Sequence, residues 1–287
     1  MEKSMTSRFA PVAPFHLVVA LLAVLAGTTV AGAQGTDPLS RLDHFKCYRV
    51  TQGTPANAFV QLQDQFDEAV SETFFEHVVV QSPLVFCNPV NKTLASGQVS
   101  PIVNENNHLK MYLITPTSTQ TRVVTVANQF TGSAITTLQV FQPVILAVPT
   151  QKRPHGPPER LDHFKCYLVR GDPVNIPVGL ADQFDKEQVR VGRPLLLCNP
   201  TVKIHGGTIG AAGDLSDNET PITNKDAHLV CYRIISPSPL PATSALAAGP
   251  RERAVQVLNQ FDKEIIKVAE PILLCVPSSK SLTPAGN

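Results

Sequence analysis

The feature that most constrains this chain is a repeat inside a repeat. L-D-H-F-K-C-Y occurs at residues 42–48 and 161–167, D-Q-F at 64–66 and 182–184, and C-N-P at 87–89 and 198–200. Self-similarity at a fixed spacing means that one structural unit is built more than once. A weaker version of the same order returns between the strong ones. His108-Leu109-Lys110-Met111-Tyr112 precedes Asn128-Gln129-Phe130, Pro143 and Val148-Pro149, while residues 228–232, ending Cys231-Tyr232, precede Asn259-Gln260-Phe261, Pro271 and Cys275-Val276-Pro277. The quarters alternate: the first and third carry D-Q-F and N-P, the second and fourth N-Q-F and V-P. This alternation implies a duplicated unit of roughly 120 residues made of two unlike quarters. It leads us to expect two domains, residues 40–152 and 160–281, joined by a stiff, solvated Pro-rich linker at 153–159. Each half is then expected to fold alone, and a single quarter is not.

Short apolar stretches bounded by turn residues fill each quarter. In the third they are residues 163–169, 174–180, 188–191 and 195–198, punctuated by Asp185-Lys186-Glu187 and Gly192-Arg193-Pro194. About four strands per quarter give an all-β fold: two tandem homologous β-sandwich or small-barrel domains, each of two pseudo-symmetric quarters. Strand count does not choose between sandwich and barrel.

All six cysteines follow this plan. Cys47 and Cys87, Cys166 and Cys198, and Cys231 and Cys275 fall in the first and last strands of the first, third and fourth quarters, and the second quarter has Met111 and Ala147 there. Six cysteines allow 15 pairings. Bonds between quarters of one domain would leave Cys47 and Cys87 orphaned, whereas bonds within quarters leave none. Each such bond is worth about 4 kcal/mol in the chain-entropy account. Zinc is the rival reading, but it calls for closely spaced C-x-x-C ligands that this chain lacks.

The opening residues read as an export signal, 1–33: Lys3 and Arg8 precede an apolar run over 15–26, and Ala31-Gly32-Ala33 has the small-x-small form of a cleavage site. The mature chain is expected to begin at Gln34 without a lipid anchor or later transmembrane segment, and to be secreted or periplasmic. A net charge of +1 gives no reason to expect nucleic acid as a partner.

No chemistry-bearing motif stands above its structural reading. All four tyrosines, Tyr48, Tyr112, Tyr167 and Tyr232, lie four residues after His44, His108, His163 and His228. Positions four apart share one strand face, opposite Phe45 and Cys47. A metal-binding stripe is conceivable there, but recurrence in every quarter favours a fold-holding role. Gln65, Gln129, Gln183 and Gln260 read as turn residues satisfying backbone groups, and Asp262-Lys263-Glu264 as a solvated hairpin tip. The glycine-rich stretch from His205 to Glu219 lacks the G-K-[ST] of a phosphate loop and the spacing of an EF-hand. Residues 236–250 read as a second loop, and Asn91-Lys92-Thr93 and Asn218-Glu219-Thr220 are glycosylation sequons.

The L-D-H-F-K-C-Y, D-Q-F and C-N-P elements resemble an uncharacterised domain family of exported bacterial proteins that often occurs in tandem; only the second quarter, without its cysteines, departs from it. The resemblance implies export and duplication and brings no activity. The leading expectation is a non-catalytic structural or binding module with an unknown protein or small-molecule partner, no cofactor, and no catalytic, cofactor-binding or metal residues. An extracellular small-molecule or metal-ion binder is the first alternative, and a hydrolase with a loop-borne site the second. Absence of tryptophan speaks against a carbohydrate module.

Overall fold

The computed structural model describes Met1 and residues 41–119, 121–131, 135–205, 219–235 and 252–282. The first quarter holds β1 (Phe45–Gln52), β2 (Ala58–Asp64), the short helix α1 (Gln65–Glu68), β3 (Glu76–Pro89), β4 (Asn91–Leu94) and β5 (Val99–Ser100). The second holds β6 (His108–Thr115), β7 (Arg122–Ala127) and β8 (Thr136–Lys152), and the third β9 (His163–Arg170), β10 (Ile176–Ala181) and β11 (Lys186–His205). The fourth holds β12 (Glu219–Thr220), β13 (His228–Ile235), β14 (Arg253–Leu258) and β15 (Lys263–Leu282). The fold is all-β and its pairing antiparallel.

The first and third strands of every quarter close a ring. Antiparallel pairing runs β1 to β3, β3 to β6, β6 to β8, β8 to β9, β9 to β11, β11 to β13, β13 to β15, and from β15 back to β1. The result is a single eight-stranded barrel with one quarter on each side of a pseudo-fourfold axis. Its interior is one apolar cluster drawn from all quarters: Phe45, Leu109, Phe164 and Leu229 at one level, the cysteines with Met111 and Ala147 at the next, and Val85, Ile145, Leu196 and Leu273 beyond. Cys47–Cys87, Cys166–Cys198 and Cys231–Cys275 are bonded inside it, each within its own quarter. Met111 pairs with Ala147 across the same two strands of the second quarter, as apolar filler.

Two expectations are corrected here. The described residues from 41 to 282 form one compact unit rather than two tandem domains. Neither half closes a barrel alone, because the seams β8 to β9 and β15 to β1 both run between halves. The linker is no free spacer either: the Arg153 amide donates to the Gln256 carbonyl at 2.9 Å, and the Gly156 and Glu159 amides donate to the Asn106 and Asn107 side chains, both at 3.0 Å.

The third strand of each quarter is also longer than its apolar stretches indicate. Gly192-Arg193-Pro194 does not end a strand: β11 runs through it with register shifts on either side of Pro194. Pro83, Pro143 and Pro271 sit at the same point of β3, β8 and β15, each flanked by a shift. Proline cannot donate to a ladder and is tolerated at such irregularities. Each bend takes the strand from the barrel wall into an outer hairpin with β2, β7, β10 or β14. The hairpin covers the outer face of the next quarter, as Val60, Leu62, Val78 and Val80 cover Tyr112, Ile114, Leu146 and Val148. The Tyr-bearing strand face is therefore core as well.

Candidate functional site at the barrel mouth

The recurrent polar residues do not converge on one site. They build separate docking points around the barrel, each joining a quarter to the one two places along. Tyr48 meets Phe184 edge-on, as do Tyr112 and Phe261, Tyr167 and Phe66, and Tyr232 and Phe130. The alternation of D-Q-F and N-Q-F follows from this docking. In odd quarters Asp182 accepts from Tyr48 Oη and Asn88 Nδ2, both at 2.9 Å, and Asp64 accepts from Asn199 Nδ2 at 2.8 Å. In even quarters Asn259 donates to Tyr112 Oη at 2.9 Å and Thr150 Oγ1 at 3.2 Å, and Asn128 donates to Tyr232 Oη and Ser278 Oγ, both at 2.9 Å. Odd quarters dock on odd and even on even.

The third residue of H-F-K-C-Y lies on the same face and is fully buried. Lys165 is paired with Asp67 at 2.9 Å and Glu76 at 2.5 Å, Lys110 with Asp262 at 3.0 Å and with Glu264, and Lys46 with Asp185 and, at 2.5 Å, Glu187. The reading of Asp262-Lys263-Glu264 as a solvated tip is thus corrected: its acids compensate a lysine that has left water. In the fourth quarter that lysine is Val230, and the facing acids of the second quarter are Thr131 and Thr136. The whole set is lost together.

A second recurrent lysine escaped sequence reasoning. Lys92, Lys152, Lys203 and Lys280 each lie five residues after the last-strand cysteine or its Ala147 equivalent. Each ammonium stands over the Phe of the following quarter, at 4.5 Å from Phe130, 4.7 Å from Phe184, 6.0 Å from Phe261 and, across the closing seam, 4.2 Å from Phe66. Burial lowers these amines to about 7 for Lys92 and Lys280 and about 8 for Lys152 and Lys203. The histidines are buried beside them. Desolvation, reinforced by the neighbouring lysine, lowers His44 and His163 to about 3 and His108 and His228 to about 2. The glutamines bond these side chains: Gln129 accepts from Lys92, Gln183 accepts from Lys152, and Gln260 bonds His163 at 3.0 Å. Gln183 alone of these three also donates to a backbone carbonyl, that of Glu105, at 3.0 Å. Among the described residues no group of three or more His, Cys, Asp or Glu could hold a metal ion. Residues 206–218 and 236–251, where the two loops were expected, lie outside the described residues.

What does converge lies at one end of the barrel. β1, β6, β9 and β13 run in the same direction, so the segments leading into them gather at one mouth. There a cavity of about 660 Å³ is lined from all quarters, by Arg41 and Leu42, Asn104 and Asn107, Arg160 and Asp162, and Asn224 and Ala227 among others. Leu42, Phe164 and Ala227 belong to the barrel-interior cluster and form its apolar floor. The L-D of the odd quarters shapes its walls. Asp43 accepts from the Val103 amide at 2.5 Å, and Asp162 from the Thr223 and Asn224 amides at 2.7 and 2.9 Å. Burial pushes the Asp43 carboxyl up to about 6. Each carboxylate thereby ties the loop of the following quarter, and the cavity lies between two such loops.

The model of a repeat of unknown function, DUF7450, matches residues 108–236, which straddle the Pro-rich segment and run from β6 of the second quarter through β13 of the fourth. No curated protein and no solved structure matches the chain. Among the described residues no helix is long and apolar enough to cross a membrane.

Proposed function

We propose that this is an exported, non-catalytic binding module whose ligand seats in the barrel mouth. The observation that carries the proposal is the cavity itself: it is concave, has an apolar floor and a polar rim, and falls in the size range of small-molecule sites. It also departs from the repeat, with Asn107 facing the role of Ala227 and Val103 that of Thr223. Residues that hold the fold recur in most or all quarters, whereas a site specific to one ligand has no need to. Three disulfides are compatible with an oxidising compartment outside the cytoplasm.

The test is a thermal-shift screen of small metabolites on the mature protein and on a Thr223→Trp variant that obstructs the rim. Compounds that raise the melting temperature of the first and not the second support the reading. Shifts that are identical in both, or turnover of ester, amide or glycoside substrates, would sink it. Protein recovered from the cytoplasm with residues 1–33 still attached would refute export.

A further inference from the structure

Resting on that reading of the mouth, we infer that its ligand is a small organic carboxylate, held through its acid group by Arg41 and Arg160 with its apolar body on Leu42, Phe164 and Ala227. The two arginines occupy one repeat position, immediately before L-D-H-F, in opposite quarters, and both line the cavity. Guanidinium is the side chain best shaped for a carboxylate, because its fork of donors matches the two oxygens. Of the acids beside them, Asp43 and Asp162 face backbone amides of the loops they tie, and Glu159, next to Arg160, also lines the cavity. Arg160 takes no part in the Arg49–Glu270 and Arg253–Asp185 pairs.

The backbone supplies an independent observation. Arg160 has φ of 51°, in the left-handed region that a residue with a Cβ rarely adopts. It is held there by the segment before it, with the Glu159 amide on Asn107 Oδ1 and the Gly156 amide on Asn106 Oδ1, both at 3.0 Å. Those asparagines belong to the loop tied by Asp43, whose Oδ2 takes Asn107 Nδ2 at 3.3 Å. The backbone that carries Arg160 is thereby fixed at the rim of the cavity. Glu159 beside it disfavours a multiply charged phosphate, and the apolar floor asks for a body that a phosphate ion lacks.

The experiment is NMR of the intact mature protein labelled at arginine Nε, titrated with octanoate and suberate, with 1-octanol and 1,8-octanediol as uncharged counterparts and inorganic phosphate as the bare anion. At least one acid should bind saturably, move the Arg160 signal, and outbind its alcohol at least tenfold. Arg160→Gln should weaken it at least tenfold with unchanged melting, Arg41→Gln should weaken it at least tenfold, and Arg160→Lys should fall between. Equal binding of acid and alcohol, no saturable binding of either acid, binding of phosphate alone, or indifference to Arg160→Gln each overturns the assignment. Alcohol binding blocked by Thr223→Trp would overturn the ligand class alone and leave the mouth a binding site.

Discussion

At the residue scale the molecule carries its own control for the cost of its buried charges. Three docking points hold a fully buried lysine against two acids, and the fourth has Val230, Thr131 and Thr136 instead. A buried pair gains little net stability over well-packed apolar groups, but one partner left alone is expensive. Lys110→Val should therefore cost about 3–5 kcal/mol by stranding Asp262 and Glu264. The triple change K110V/D262T/E264T, which copies the fourth point, should recover most of that loss in urea unfolding at pH 7. No recovery would mean that the acids are not stranded by loss of the lysine.

The second lysine set makes a pH prediction whose sign follows from depressed folded-state values. Amines at about 7 to 8 in the fold and about 10.5 when unfolded bind more protons unfolded between those limits. Stability is thus fully developed above the unfolded value and diminishes as pH falls toward the folded ones. The urea midpoint should climb from pH 7 to pH 9.5, and Lys280→Met should flatten the climb. A midpoint that falls over this window would contradict the burial of these amines.

At the scale of elements, the sequence is legible wherever one strand face is read alone. The alternation His44, Lys46, Tyr48 against Phe45, Cys47 places the cysteines inside, and the loss of both sulfurs at Met111 and Ala147 locates two positions that face each other on adjacent strands. Illegible was that the opposite face is core too, since His, Lys and Tyr read as an exposed side until the hairpin of another quarter lies over it. The joint change at Val230, Thr131 and Thr136 carries the same kind of signal as the cysteine pair, and following it would have shown that the fourth quarter touches the second. Gly192-Arg193-Pro194 misled for a local reason. Gly and Pro punctuate chains, but at a bulge they bend a strand without ending it. The cavity escaped because Arg41, Asn104, Arg160 and Asn224 are distant in sequence and share only their position ahead of a first strand.

At the scale of the whole molecule, alternation within the repeat points to interlocking rather than to two domains. β2 pairs with the far end of β11, β10 with β4, β7 with the far end of β15, and β14 with the end of β8, so the second strand of each quarter is clasped by the quarter opposite. Every Tyr–Phe contact likewise crosses from one half to the other. A half chain, residues 40–157 or 158–282, keeps two disulfide-closed quarters at most and loses every clasp, both long seams and half the barrel wall. It should not give a folded monomer. Mixed under oxidising conditions, the two halves should assemble one to one with the β content and melting transition of the intact chain. Each half alone should be unfolded or should pair with a second copy of itself, since two like halves can in principle supply four quarters. Sedimentation equilibrium with circular dichroism on the separate and mixed halves checks this. A folded monomeric half would show that the clasps are dispensable and return the chain to two independent domains.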